Sequence, residues 1–112
     1  MFSNEILKGS IRPLIIKLIK ENGRMYGYQI TQKVKEISSD TIILTEGALY
    51  PALHKLVKDG ILHVETKQIG NRERKYYSIP PQQDRTATAK LEEIKQSIQI
   101  LAQLFDIKTN PI

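Results

Sequence analysis

Residues 45–60 read Thr45-Glu46-Gly47-Ala48-Leu49-Tyr50-Pro51-Ala52-Leu53-His54-Lys55-Leu56-Val57-Lys58-Asp59-Gly60. Leu49, Leu53, Leu56 and Val57 recur at helical spacing and predict one buried side. Asp59-Gly60 supplies the glycine stop of a helix. The remaining positions are Gly47, Tyr50, Pro51, His54, Lys55 and Lys58, of which 47, 50, 54 and 58 share one face. That face offers close backbone approach at Gly47, an aromatic hydroxyl at Tyr50, a donor or acceptor at His54 and cations at the far end. Such groups suit base edges and phosphates; a purely structural reading instead has Pro51 tolerated on an exposed side and Tyr50 packed on its own domain. Pro51 is the awkward residue. With Thr45 as cap it lies a turn inside the helix, at a cost of up to about 3 kcal/mol. The cost falls if Thr45-Glu46-Gly47 forms a turn and the helix starts near Ala48, which is the expected arrangement.

Upstream, Ile11, Leu14, Ile15, Leu18 and Ile19 predict an amphipathic helix over 10–22, capped by Ser10 so that Pro13 falls in its first turn. A second helix is predicted over 26–37, with Ile30, Val34 and Ile37 inward, and Thr41-Ile42-Ile43-Leu44 reads as a brief strand. Downstream, residues 61–68 and 75–79 read as two strands around the charged tip Ile69-Gly70-Asn71-Arg72-Glu73-Arg74. Pro80-Pro81 then separates a first segment, 1–81, from a second, 82–112. The second begins with Asp84 as helix cap. Ala87, Leu91, Ile94, Ile98, Leu101 and Phe105 follow at spacings of four and three, an a/d seam.

The chain has 112 residues, 17 lysines and arginines against 12 acids, and no cysteine. That length supports one small domain with an appended element. The lack of cysteine excludes disulfide frameworks, thiolate zinc sites and cysteine nucleophiles. No apolar run approaches the roughly 20 residues of a membrane span, and a cytoplasmic protein is the default expectation. The charge is unevenly placed. Residues 1–81 hold 13 basic and 8 acidic side chains, whereas residues 82–112 hold 4 of each. The first segment suits a polyanion; a solvated, mildly basic surface explains the same charge equally well.

Three helices followed by a basic hairpin describe a winged helix-turn-helix: mainly α with a small β-hairpin, plus a C-terminal helix. In that arrangement the third helix enters the major groove and the hairpin, or wing, touches the DNA backbone or the minor groove. Arg72, Arg74 and Lys75 are the wing candidates, and Lys33 a phosphate contact on the second helix. Tyr28 serves either helix packing or a phosphate. Tyr77 is expected in the core and His63 on an exposed strand position. No nucleophile–base pair, phosphate-cradling glycine loop or metal-ligand cluster is visible, so neither an enzyme, a cofactor nor a metal is expected.

The sequence resembles the PadR family of transcriptional regulators. The resemblance rests on Tyr26-Gly27-Tyr28-Gln29-Ile30, on Gly47-Ala48-Leu49-Tyr50-Pro51-Ala52-Leu53-His54-Lys55-Leu56, on Gly60-Ile61-Leu62 and on Arg74-Lys75-Tyr76-Tyr77. It implies a winged-helix DNA-binding domain, the third helix as reader, a homodimer through the C-terminal helix, and release of DNA by a small aromatic or drug-like effector. The chain has no tryptophan to stack on such a ligand. It also departs from the family in one place: Ile79-Pro80-Pro81-Gln82 stands where a Thr-x-x-Gly turn is common, which bears on the angle of the last helix.

The seam supports dimerisation on physical grounds. Leu91, Ile94, Ile98, Leu101 and Phe105 could each contribute about 1.5–3 kcal/mol on full burial. Association opposes this by about 4–15 kcal/mol, so the first helix is expected to join the interface. The competing reading folds the seam onto its own domain. The expected function is a repressor bound to palindromic double-stranded operator DNA as a homodimer. A winged helix used for protein–protein contact, with only non-specific DNA binding, is the alternative.

Overall fold

The computed structural model describes residues 2–108; Met1 and residues 109–112, the outer ends of the two predicted segments, lie outside it. The elements are α1 (Asn4–Asn22), β1 (Met25–Tyr26), α2 (Gly27–Ile37), α3 (Glu46–Lys58), β2 (His63–Ile69), β3 (Arg72–Ser78), a 3-10 turn (Pro81–Gln83) and α4 (Asp84–Leu104). Three helices and a hairpin followed by a long helix are the winged helix-turn-helix expected from the hydrophobic pattern.

Both proline-bearing helices begin earlier than their sequences suggest. Ser3, not Ser10, caps α1, its hydroxyl accepting from the Ile6 amide at 3.4 Å. Ser10 lies within the helix and donates to the Ile6 carbonyl at 2.7 Å. Pro13 is therefore interior. Likewise Thr45 caps α3, its Oγ1 accepting from the Ala48 amide at 3.2 Å, and Pro51 is interior there too. The expected start near Ala48 is incorrect because Thr45 satisfies a first-turn amide that a looser turn would leave unpaired. Each proline has a glycine four residues earlier, Gly9 and Gly47, both exposed. The proline ring presses on the carbonyl at that position. A glycine there lets the turn yield, and water can satisfy the freed carbonyl.

The end of α3 matches the sequence. Gly60 has φ 80°, and the amides of Gly60 and Ile61 bond the carbonyls of Val57 and Leu56, both at 3.0 Å. This is a Schellman stop, and it sends Ile61 and Leu62 into the core instead of starting the strand.

The sheet has three strands in the order β1-β3-β2, all antiparallel. β1, only two residues long, is too short to leave a periodic signal. The hairpin turns on Gly70, φ 62°, and Asn71, so both strands run further towards the tip than expected. Arg72 and Arg74 are consequently strand residues. The predicted strand at Thr41–Leu44 is absent. No neighbouring strand pairs with it, and it connects α2 to α3 with Leu44 buried and Ile43 outward.

The core gathers Ile15, Ile16 and Leu18 of α1, Ile30 of α2, and Leu49 and Leu53 of α3, closed beneath by Tyr77. Among the described residues none of the buried ones is polar or charged. Ala87 of α4 joins this core and Leu91 is 9% exposed, whereas Ile98, Leu101 and Phe105 are 54%, 50% and 72% exposed. The seam is thus divided, its first turns packed on the chain's own domain and its last turns open. Lys20 of α1 donates to Asp84 Oδ1 and Thr88 Oγ1, each at 3.0 Å, and ties α4 to the domain. Asp84 is the first residue of α4 and Gln83 its cap, contrary to expectation, because the 3-10 turn over Pro81–Gln83 runs directly into the helix.

Candidate nucleic-acid interface

Leu49, Ala52, Leu53 and Leu56 bury one side of α3, which forces Gly47, Tyr50, His54 and Lys58 outward. At about 100° per residue these four fall within about 80° of arc. Pro51 and Lys55 flank them, also exposed. Lys55 is engaged by Asp59, Nζ to Oδ1 at 3.2 Å, while Lys58 has no carboxylate partner among the described residues. The free positive end of the face is therefore Lys58. As a cation in the last turn of α3 it is favoured by the negative end of the helix dipole.

Tyr50 follows both readings in part. Its hydroxyl does not project outward but lies across Gly27 at the start of α2, leaving the ring 36% exposed.

Beside α3 a groove of about 750 Å³ opens towards the wing, lined by Tyr26, Tyr28, Tyr50, Tyr77, Arg72, Arg74 and Lys75 among others. Tyr28 is 64% exposed, so it is available to a phosphate and contributes little packing. Tyr77 is 2% exposed, as expected of a core residue, and burial followed by the neighbouring Tyr50 raises its phenol pKa above 10. Lys33, half-buried on α2, lies with Arg24, Gln29 and Glu36 around a separate hollow. The structure does not bring it to the groove.

The wing cations divide by strand face. Directly paired residues share a face. Tyr77 pairs with Met25 and Val64 on the core side. Alternation along β3 puts Lys75 on that same side and Arg72, Arg74 and Tyr76 on the other. On this outer face the Arg74 guanidinium lies 4.1 Å from the Tyr26 ring centroid and its Nη1 donates to the Tyr76 hydroxyl at 3.4 Å. The hydrogen bond to Tyr76 raises its pKa, although a guanidinium stays charged in proteins in any case. Arg24 stacks on Tyr76 at 4.8 Å, and the two tyrosines meet edge to face at 5.4 Å. Arg74 is therefore held in a stack, whereas Arg72 and Lys75 are exposed and carry no such contact. Composition could not reveal this, because it depends on β1, whose Tyr26 supplies the ring.

The profile of the transcriptional regulator PadR-like family matches residues 15–87, from the middle of α1 to the first turn of α4. The chain belongs to this family. Its members are transcriptional regulators, not enzymes. The transcriptional regulator Rv3488 of Mycobacterium tuberculosis is 29% identical over 99 residues, covering 88% of this chain and 85% of that protein. A transcriptional regulator from Clostridium thermocellum shares the fold with a TM-score of 0.78 at 24% identity, covering 92% and 97% of the two chains. Bacillus subtilis PadR, solved in complex with operator DNA, superposes with a TM-score of 0.61 at 23% identity, over 91% of this chain and 49% of that one. Among the described residues no cluster suits a metal ion and no helix is long and apolar enough to cross a membrane.

Proposed function

We propose that this PadR-like protein is a sequence-specific DNA-binding regulator, acting as a repressor on a palindromic operator. The observation that carries the reading is the outward face of α3, with Gly47, Tyr50, His54 and Lys58 presented beside a groove edged by Arg72, Arg74 and Lys75. An α-helix fits the major groove, and cations at its flank neutralise phosphates. The operator-bound PadR of Bacillus subtilis, which shares the fold, supports double-stranded DNA as the partner.

In this reading residues 1–81 bind DNA and residues 82–112 form a homodimer through Ile94, Ile98, Leu101 and Phe105, with Leu91 at its inner edge. Two-fold symmetry then places two copies of α3 on half-sites about one helical turn apart. Release of the DNA by a small-molecule effector belongs to the same proposal and rests on family resemblance alone.

Selection of binding sites from random duplex DNA tests the reading. A palindrome bound about a thousandfold or more above scrambled DNA is expected. Tyr50→Ala and His54→Ala should each lower that ratio. If no site is enriched, or if both substitutions leave the ratio unchanged, α3 is not the reader.

A further inference from the structure

Gly27 is the first residue of α2 and is buried. Glycine there costs backbone entropy on folding, so its presence calls for a reason. Backbone conformation does not supply one: positive φ among the glycines is confined to Gly23, Gly60 and Gly70. The reason is space. A Cβ at Gly27 would stand 2.7 Å from the Tyr50 hydroxyl oxygen, 3.2 Å from Tyr50 Cζ and 3.4 Å from Leu49 Cδ2. At Gly9, Gly23, Gly60 and Gly70 an added Cβ meets nothing within 4 Å, and at Gly47 it meets only Thr45 Oγ1 at 3.9 Å.

We propose that Gly27 is a positioning residue for DNA recognition, its missing side chain forming the seat that holds Tyr50 in one orientation. This rests on the reading of α3 as the DNA reader. Tyr50 is the aromatic residue on the outward face of α3. With its hydroxyl end seated on α2, the ring flank is fixed at the groove before DNA arrives. A side chain already in its bound orientation loses less freedom on binding. A Cβ at position 27 would force the Tyr50 hydroxyl end to shift and so re-aim the ring at the groove, while the basic wing keeps its attraction for any DNA. Gly27 therefore acts on discrimination, through Tyr50, without touching a base.

The test is a cycle of four full-length proteins: wild type, Gly27→Ala, Tyr50→Phe and the double variant. Affinities for the selected operator and for scrambled duplex are measured by fluorescence anisotropy at fixed salt, alongside thermal melts. Gly27→Ala should lower the operator-to-scrambled ratio about tenfold or more, the scale of one lost base contact. Its affinity for scrambled DNA should stay within about twofold. In the Tyr50→Phe background, where the atom 2.7 Å away is gone, the same change should cost much less. An unchanged ratio, an equal loss on both DNAs, or an equal cost in both backgrounds overturns the proposal. If Gly27→Ala does not fold, the wild-type protein decides. A nuclear Overhauser contact between the Tyr50 ring and the Gly27 Hα protons, kept in the operator complex, supports the seat, and its absence in either state removes it. Failure to select any operator would sink the proposed function and this inference together. A selected operator with an indifferent Gly27 sinks only the inference.

Discussion

Leu91→Ala and Leu101→Ala alter the same seam ten residues apart, and in the proposed homodimer their expected consequences are opposite. Leu101 is 50% exposed in the single chain. Full burial of a leucine contributes about 1.5–3 kcal/mol, so about half of that remains for a partner to bury. A two-fold interface contains the residue twice. Leu101→Ala should therefore weaken the dimer by about 1.5–3 kcal/mol, roughly 10- to 150-fold in dissociation constant. Leu91 is 9% exposed and has little left to bury. Its removal should shift the dimer constant by only about twofold but cost about 2–5 kcal/mol of folding stability through the cavity it leaves. Sedimentation equilibrium over a dilution series gives the dimer constants. Melts at matched protein concentration give stability, since the apparent stability of a dimer depends on concentration. An unchanged dimer constant in Leu101→Ala would refute the open half of α4 as the interface. A large loss of dimer in Leu91→Ala without loss of stability would mean that α4 leaves its own domain when two chains meet.

The salt dependence of DNA binding should separate the wing cations. Arg72→Ala and Lys75→Ala should each flatten the slope of log K against log salt by about 0.9. Arg74→Ala should lower the melting temperature and leave the slope nearly unaltered, and a full-sized slope change there would show that its stack opens on DNA. Pro51→Ala restores an amide facing the Gly47 carbonyl. Removing an interior proline recovers up to about 3 kcal/mol, less about 0.4–1 for the unfolded chain's regained freedom. Because the turn has already adapted, a net gain of about 1–2 kcal/mol is expected in thermal unfolding, and a lower melting temperature would contradict it. Tyr77 links stability to alkaline pH. Burial raises its folded pKa above the ordinary 10, so the unfolded chain ionises first. The stability it contributes is complete below about pH 10 and is lost as pH climbs through the folded pKa. Tyr77→Phe should blunt that alkaline loss, and melts at pH 9 and pH 11 that fall equally in both proteins would rule it out.

The side of each helix that faces the core was legible because one-sided burial imposes a 3.6-residue period, as at Leu49, Leu53 and Leu56. The helix starts were not. A proline has the same φ in the first turn as in the interior, so Pro13 and Pro51 alone do not say which they occupy. The deciding groups are the hydroxyls of Ser3 and Thr45 and the glycines four residues before each proline. Ser39 and Asp40, at φ 51° and 65°, redirect the chain after α2 although neither is glycine, and so the segment behind them passed for a strand. The candidate face of α3 was legible for the same periodic reason. The role of Gly27 was not, because it depends on where α2 crosses α3, a tertiary contact that no local pattern carries.

In the proposed reading helix and wing contribute differently to recognition, and the sheet supplies the physical reason. β1 pairs only with Tyr76 and Tyr77, so residues 72–75 of β3 have β2 as their single neighbour. A two-stranded ribbon is marginal by itself, and the far half of the hairpin buries no large side chain. Its base differs: Tyr77 is buried there, and the stack of Arg24, Tyr76, Tyr26 and Arg74 clamps the outer face. The wing is thus anchored up to Arg74 and weakly supported beyond it, so Arg72 can follow a phosphate whose position varies. The proposed reader, α3, has no such freedom. Leu49, Leu53 and Leu56 are each at most 2% exposed, Thr45 and the Gly60 stop fix both ends of α3, and Tyr50 rests on α2. Base edges demand fixed geometry and phosphates demand charge within reach, and the burial pattern supplies rigidity and latitude in those respective places.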